Sequence, residues 1–518
     1  MPSTMSRIVL TIIFGSAAFN SHAAPDVASA EKTTDSPVAV KPEPKPEQSV
    51  TPHTLKFGTL SLDYSATAGT AIIRDDADKP IASMGYIAYT KRDAKDLTRR
   101  PILFAFNGGP GSSSLWLHMG YLGPKRVATP DAQAAGPAPF NVVDNIYSPL
   151  DKSDIVLIDP VGTGLSKAVG DKKDEDFWGV DSDIDSVARF IAQYLDDNHR
   201  WGSPKYLLGE SYGTTRGAGV LRYLQQRRNV AFNGVVLVSV ATDIEAIFAE
   251  IPGNDRPYPL YLPAFAATAW YHKALPSAHP DLAVFVQEVR DYANGPYAAA
   301  IGRGDTLTNA ERLAVAQRMH EYTGLSVDYL VSANLRVSET AFDHELLKTT
   351  GRTVGRVDSR FIGLTFDLRA KDSETDPHMN AIRFAYAGAF LDYLHADLKF
   401  GVGKTYVPSN FSLGDKWKWQ HHTVDGGDQM AVNTGYDLAR ALVDDTHLRV
   451  LVLNGYFDLA TPFSGTEYMM NHLGVGPDVH ARISMKYYEA GHMMYIHPPS
   501  LQKMKSDLDA FINETSGL

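Results

Sequence analysis

The chain contains no cysteine among its 518 residues. That excludes a disulfide framework, a thiolate nucleophile, Cys-ligated zinc and iron–sulfur clusters. It also excludes a lipid-anchored bacterial lipoprotein, whose attachment chemistry needs a cysteine. Basic residues are outnumbered, 49 Lys+Arg against 60 Asp+Glu, for a formal net charge of −11. A chain with that balance is poorly suited to gripping a phosphate backbone. After the first twenty residues no apolar run approaches the roughly 20 residues that span a bilayer. No internal repeat of solenoid period is present. What remains is an ordinary globular composition, 44% hydrophobic and 21% charged, on a chain long enough to bury a sizeable core.

The amino terminus has the pattern of an export signal. Arg7 is the only charge before Asp26, Ile8–Phe14 is apolar, and Ser21-His22-Ala23 places small residues at −3 and −1 of a cleavage site after Ala23. Residues 1–23 are therefore expected to be a signal peptide, and the protein to be exported, either periplasmic or secreted. Residues 24–52 carry six prolines and several charges and are expected to form a Pro-rich linker.

From residue 53 the pattern changes. Leu60–Tyr64, Ala71–Ile73 and Met84–Tyr89 read as antiparallel strands around the turn-rich Asp75–Pro80. Short runs apolar on both faces follow at Ile102–Phe106, Ile155–Ile158, Tyr206–Leu208, Val235–Val238, Val450–Leu453 and Ile483–Tyr488, as buried parallel strands require. Ile184, Val187, Phe190, Ile191, Tyr194 and Leu195 recur at helical spacing between two of them. This is an α/β sheet covered on both faces. The strand rhythm lapses over 241–447, where helical stretches dominate. We expect 53–240 and 448–518 to form one core and 241–447 to be a mostly helical cap inserted into it.

Three strand ends carry the chemistry. Gly209-Glu210-Ser211-Tyr212-Gly213 joins a strand to a helix-compatible segment, the setting of a nucleophile elbow, where small residues must flank a serine in a tight turn. Ser211 needs a base oriented by a third group, in the order Ser, acid, His. Asp458 and His492 each follow a buried strand in that order. Asn107-Gly108-Gly109-Pro110-Gly111-Ser112-Ser113-Ser114 follows Ile102–Phe106; glycines there let a backbone N–H approach a substrate. No G-K-[ST] or G-x-G-x-x-G makes it a phosphate loop. His421-His422 and His344-Glu345 lack metal spacing.

These motifs, with Leu122-Gly123-Pro124, Asp159–Ser166 (Asp-Pro-Val-Gly-Thr-Gly-Leu-Ser), Asp458 before Pro462, and Gly491-His492-Met493, resemble the serine carboxypeptidases of the carboxypeptidase Y and plant type, over roughly residues 55–518. The resemblance implies an α/β-hydrolase fold with a mostly helical cap insertion. It implies Ser211, Asp458 and His492 as the triad, and the Gly109 and Tyr212 N–H groups as the oxyanion hole. Asn107, Gly108 and Glu210 would hold a peptide's terminal carboxylate. No cofactor or metal is implied, and the partners are peptide substrates, with neither nucleic acid nor a stable membrane anchor. An ionised Glu210 would repel that carboxylate, whereas a protonated one can donate to it, so acid pH is expected to favour peptides more than esters. Three positions depart from the family: Tyr121 stands where it has a second Glu, Ser112 where it has a Cys, and Asp159 where it commonly has Gln. The alternatives are an esterase or acyltransferase on the same fold, and an inactive peptide-binding protein.

Overall fold

In a computed structural model, the described residues are 44–248, 253–373 and 375–517. The expected signal peptide and residues 24–43 of the expected linker lie outside them. The rest of that linker does not: a strand opens at Gln48, so residues 48–52 are paired rather than free. Proline inside this segment is tolerated because it lies in an edge strand, where a missing N–H need not break a ladder.

The main sheet runs β1 (Gln48–Phe57), β2 (Leu60–Arg74), β3 (Pro80–Lys91), β4 (Ile102–Phe106), β5 (Asp154–Ile158), β6 (Lys205–Ser211), β7 (Gly234–Val240), β8 (Arg449–Gly455) and β9 (Ile483–Tyr488). Its spatial order is β1-β2-β3-β5-β4-β6-β7-β8-β9, with a two-residue strand, Lys167–Ala168, also paired to β3. The first three strands pair antiparallel and β3 meets β5 antiparallel. From β5 to β9 every pairing is parallel. The parallel strands β4, β5 and β7 are buried throughout, which is why they read as unbroken apolar runs rather than alternating ones. Strand β9 is only partly buried, as its place at the sheet edge dictates.

Helices cover both faces. On one lie α1 (Val180–Asp197), α2 (Tyr212–Arg228) and α5 (Gly435–Asp444), packed through residues such as Ile184, Leu221 and Leu438. On the other lie α4 (Pro377–Asp392) and α6 (Pro498–Thr515), packed through Ile382, Tyr386, Leu501 and Leu508. A third apolar cluster belongs to α3 (Pro257–Tyr271) and its helical neighbours over Leu282–Tyr292 and Asn309–Thr323, and it includes Phe457, Leu459 and Phe463 from just beyond β8. The inserted stretch 241–447 thus does two jobs. Its first half builds a helical layer next to the end of β8, while α4 and α5 within it complete the two faces of the sheet.

This is an α/β-hydrolase fold with helical insertions. The parallel order brings the carboxyl ends of β4, β6, β7, β8 and β9 together, and ligand sites in such sheets sit outside those ends. Among the described residues, no helix is long and apolar enough to cross a membrane.

Candidate active site

Strand β6 ends at Ser211 and α2 starts at Tyr212 with no loop between them. The sharp turn holds Ser211 at φ 62° and ψ −131°, a left-handed conformation costly for any residue with a Cβ. Such strain is what lifts a serine out of a strand end. The turn closes against the Gly-rich loop after β4. A Cβ on Gly108 would fall 2.5 Å from the Tyr212 nitrogen and 2.6 Å from the Glu210 oxygen, so only glycine fits. Gly109, in the left-handed region at φ 107°, lines one cavity with Ser211 and Tyr212.

Asp458 and His492 meet. His492 Nδ1 lies 2.8 Å from Asp458 Oδ2. That carboxylate also accepts from the backbone N–H groups of Ala460 and Thr461, at 2.8 and 2.9 Å, and from the Thr461 hydroxyl at 2.8 Å. Thr461 Oγ1 in turn lies 3.1 Å from His492 Nδ1 and lines the Ser211 cavity. Burial works to lower the His492 pKa, but the Asp458 carboxylate outweighs it and the net direction is up. Two backbone ties hold the loop of His492. Its N–H donates to the Val357 carbonyl at 2.7 Å, and its carbonyl accepts from Ser239 Oγ at 2.8 Å.

Asn107 and Glu210 also meet. Asn107 Nδ2 donates to Glu210 Oε1 at 2.7 Å, and Asn107 Oδ1 accepts from the Leu117 N–H at 2.9 Å, which fixes the amide's orientation. Both side chains are buried. Burial pushes the Glu210 carboxyl up to about 7, with His492, Tyr495 and Asn107 pulling against it. The buried Tyr495 hydroxyl faces the Glu210 carboxyl and interacts with it, though without ideal hydrogen-bond geometry.

The sequence reading passed over Tyr495 and Thr461. Each lies three residues after a motif residue, His492 and Asp458, and that proximity was their only signal. Tyr121 does not reach Glu210 itself. Its hydroxyl donates to the Met504 carbonyl at 3.1 Å, and its ring stacks on Tyr495 with centroids 6.3 Å apart and planes 8° from parallel. Asp159 stands apart, accepting from the Ser114 N–H and the Tyr406 hydroxyl at 2.8 and 3.0 Å. Of the aromatic α3, Tyr261 lines the Ser211 cavity while Phe265 stacks on Phe342 within the helical layer. His421 is held between Asp181 and Asp437, at 2.6 and 2.9 Å.

Fold and strand-end geometry define a protein of the α/β-hydrolase class. Residues 76–244 match the model of the serine carboxypeptidases. The matched stretch holds Asn107–Ser114, Asp159–Ser166 and Gly209–Gly213 and ends before Asp458 and His492. Among solved structures the chain resembles Kex1Δp, a prohormone-processing carboxypeptidase from Saccharomyces cerevisiae, at 16% identity and a TM-score of 0.53, over 87% of this chain and 92% of that one. A proline iminopeptidase from Mycobacterium smegmatis aligns more loosely, at 12% identity and a TM-score of 0.35, over 90% of this chain and 99% of that one. Comparison of the sequence with the curated proteins yields no match.

Proposed function

We propose that the chain is a serine-type carboxypeptidase that releases C-terminal residues from peptides. The observation that carries this reading is the buried Asn107–Glu210 pair directly before Ser211, with the Tyr495 hydroxyl facing Glu210 beside it. A group that holds a free carboxylate is what separates an exopeptidase from a general acyl hydrolase. A protonated Glu210 supplies the donor, since its carboxyl stays largely neutral up to about 7.

In this reading Ser211 Oγ attacks the carbonyl of the last peptide bond while His492 Nε2 takes its proton. Asp458 holds the imidazole through Nδ1 and stabilises the imidazolium. The developing oxyanion is met by the N–H groups of Gly109 and Tyr212, the second at the positive end of α2. His492 returns the proton to the leaving amine, the C–N bond breaks, and an acyl-Ser211 ester remains. Water activated by His492 then hydrolyses it. No cofactor enters. The pattern of residues 1–23 supports export, to a periplasm or the medium, as part of the same proposal.

The test is a pH series on mature protein with a free-C-terminus peptide, its amidated twin and the Ser211→Ala variant. Stepwise loss of single residues from the free peptide only, absent in the variant, is the expected result. Hydrolysis of simple esters with both peptides intact would replace this reading by that of an esterase or acyltransferase. Tyr121, standing where the family has its second acid, is the residue that favours that second reading.

A further inference from the structure

The cavity holding Ser211 contains a charge that the mechanism above does not use. Arg356 lines it together with Gly109, Ser211, Tyr212, Trp419 and Thr461. The buried arginines are paired: Arg100 and Arg200 with Asp154, Arg216 with Asp183, Arg222 with Asp425 and Asp444, and Arg360 with Asp358 and Asp131. The Arg356 guanidinium makes no hydrogen bond and no ion pair among the described residues, and the residue is exposed. Its backbone is nonetheless held firmly. The Arg356 carbonyl accepts from the Leu459 N–H at 3.0 Å, next to Asp458, and the Val357 carbonyl accepts from the His492 N–H at 2.7 Å. The backbone that carries the cation is therefore tied to the segments of Asp458 and His492.

We propose that Arg356 selects an acidic side chain on the penultimate residue of the substrate, the residue that becomes the acyl group on Ser211. This rests on the reading of Ser211 as an acylated nucleophile. The cavity, about 140 Å³, suits one side chain; drug-sized ligands need about 300 Å³ or more. Its lining includes Gly109 and Tyr212 but not Asn107, Gly108 or Glu210. The departing residue must turn its carboxylate toward Asn107 and Glu210. The side chain across the scissile bond is then the one that enters the cavity. Ile244, Ile247 and Trp419 contact its methylenes, and the guanidinium at the end pairs with a carboxylate in fork geometry.

The groups around Arg356 do not remove its charge. Tyr261, Asp376, Glu339 and Asp343 surround it, and their combined effect outweighs burial and keeps the guanidinium protonated. Burial and then Asp376 push the Asp343 carboxyl well above its ordinary range. Asp376 is occupied by the N–H groups of Val357 and His378, at 3.0 and 2.9 Å. Among the described residues, Glu339 is the acidic side chain that lines the same cavity.

The test uses N-blocked glutamyl, glutaminyl, leucyl and lysyl α-ethyl esters, which have no terminal carboxylate and report on the acyl side alone. The wild type is expected to favour glutamyl over glutaminyl ester in kcat/KM by about tenfold to a hundredfold. Arg356→Gln should bring that ratio close to one and leave the leucyl ester unchanged, Arg356→Lys should keep part of it, and Glu339→Gln should raise it. A flat series in the wild type, or an unchanged ratio in Arg356→Gln, overturns the proposal. So does an Arg356→Gln variant that keeps all four esters but loses free-C-terminus peptides, because the guanidinium would then serve the terminal carboxylate. If the wild type leaves peptides intact but shows the Arg356-dependent glutamyl preference, the inference stands and the carboxypeptidase reading fails. If no ester and no peptide is turned over, both fall.

Discussion

Glu210 and His492 each shift the other's titration, and the direction of each shift sets a pH profile. Glu210 holds its proton up to about 7, so binding of a peptide carboxylate should weaken as pH rises through that value. His492, raised above its ordinary value by Asp458 against burial, is inactive as a base while protonated, so activity should also fall on the acid side. Peptidase kcat/KM should therefore be bell-shaped, whereas ester turnover should show only the acid limb. Glu210→Gln, a permanent donor of similar shape, should flatten the alkaline limb for peptides, as pH–rate profiles would reveal. Stability follows the same group. The native state keeps a proton that the unfolded chain releases near 4.5, so its contribution is lost as pH rises between about 4.5 and 7. Glu210→Gln should accordingly be more stable than the wild type at pH 8, by up to about 3 kcal/mol, and should show little difference at pH 4. The motif residues were legible at this scale because each sits in a local pattern. Tyr495 and Arg356 were not, since nothing near them in the chain says what they face.

At the scale of elements, the site is a set of strand ends held in contact by missing side chains. The loop after β4 touches the β6–α2 turn only because residue 108 has no Cβ. Gly491 likewise lies against Asp358, where an added Cβ would fall 2.5 Å from that residue's Cα, so the His492 loop and the Arg356–Arg360 segment press together. Gly108→Ala must move backbone rather than a flexible side chain, and should cost about 2–4 kcal/mol of stability. It should also abolish reaction with a serine-directed fluorophosphonate even where thermal unfolding shows a folded protein. Labelling at the wild-type rate would count against the close approach of the two loops. The strands were readable because burial on both faces leaves unbroken apolar runs. Strand β1 was not, because an edge strand at the surface has the same polar, Pro-containing composition as a linker.

Across the whole molecule the inserted stretch is tied to the sheet's helices by buried charge. His421 bridges Asp181 on α1 and Asp437 on α5, and Trp417 and Trp419 nearby pack edge-on against Tyr212, with centroids 5.4 and 5.9 Å apart. Burial would lower the His421 pKa, but the two carboxylates raise it to about 9. A raised imidazole stabilises fully below its unfolded value near 6.5 and loses that contribution as pH climbs through about 9. Asp181 is half exposed, so solvent screening trims the effect to about 1–2 kcal/mol. His421→Gln should lower the melting temperature at pH 6, and the gap should close by pH 10. A gap that does not change with pH would mean the imidazole acts through packing alone.

The sequence by itself determined the α/β class, the order of the buried strands and the candidate Ser211, Asp458 and His492, because backbone pairing, apolar periodicity and tight-turn chemistry are local properties. Only the tertiary structure decided which side chains converge. Tyr495 is 285 residues from Glu210 by number and Arg356 is 145 from Ser211, yet the first faces Glu210 and the second shares the Ser211 cavity. Such neighbours are set by how the insertion and the last helices pack on the sheet. That packing depends on the shape of the whole core, which no short window of residues contains.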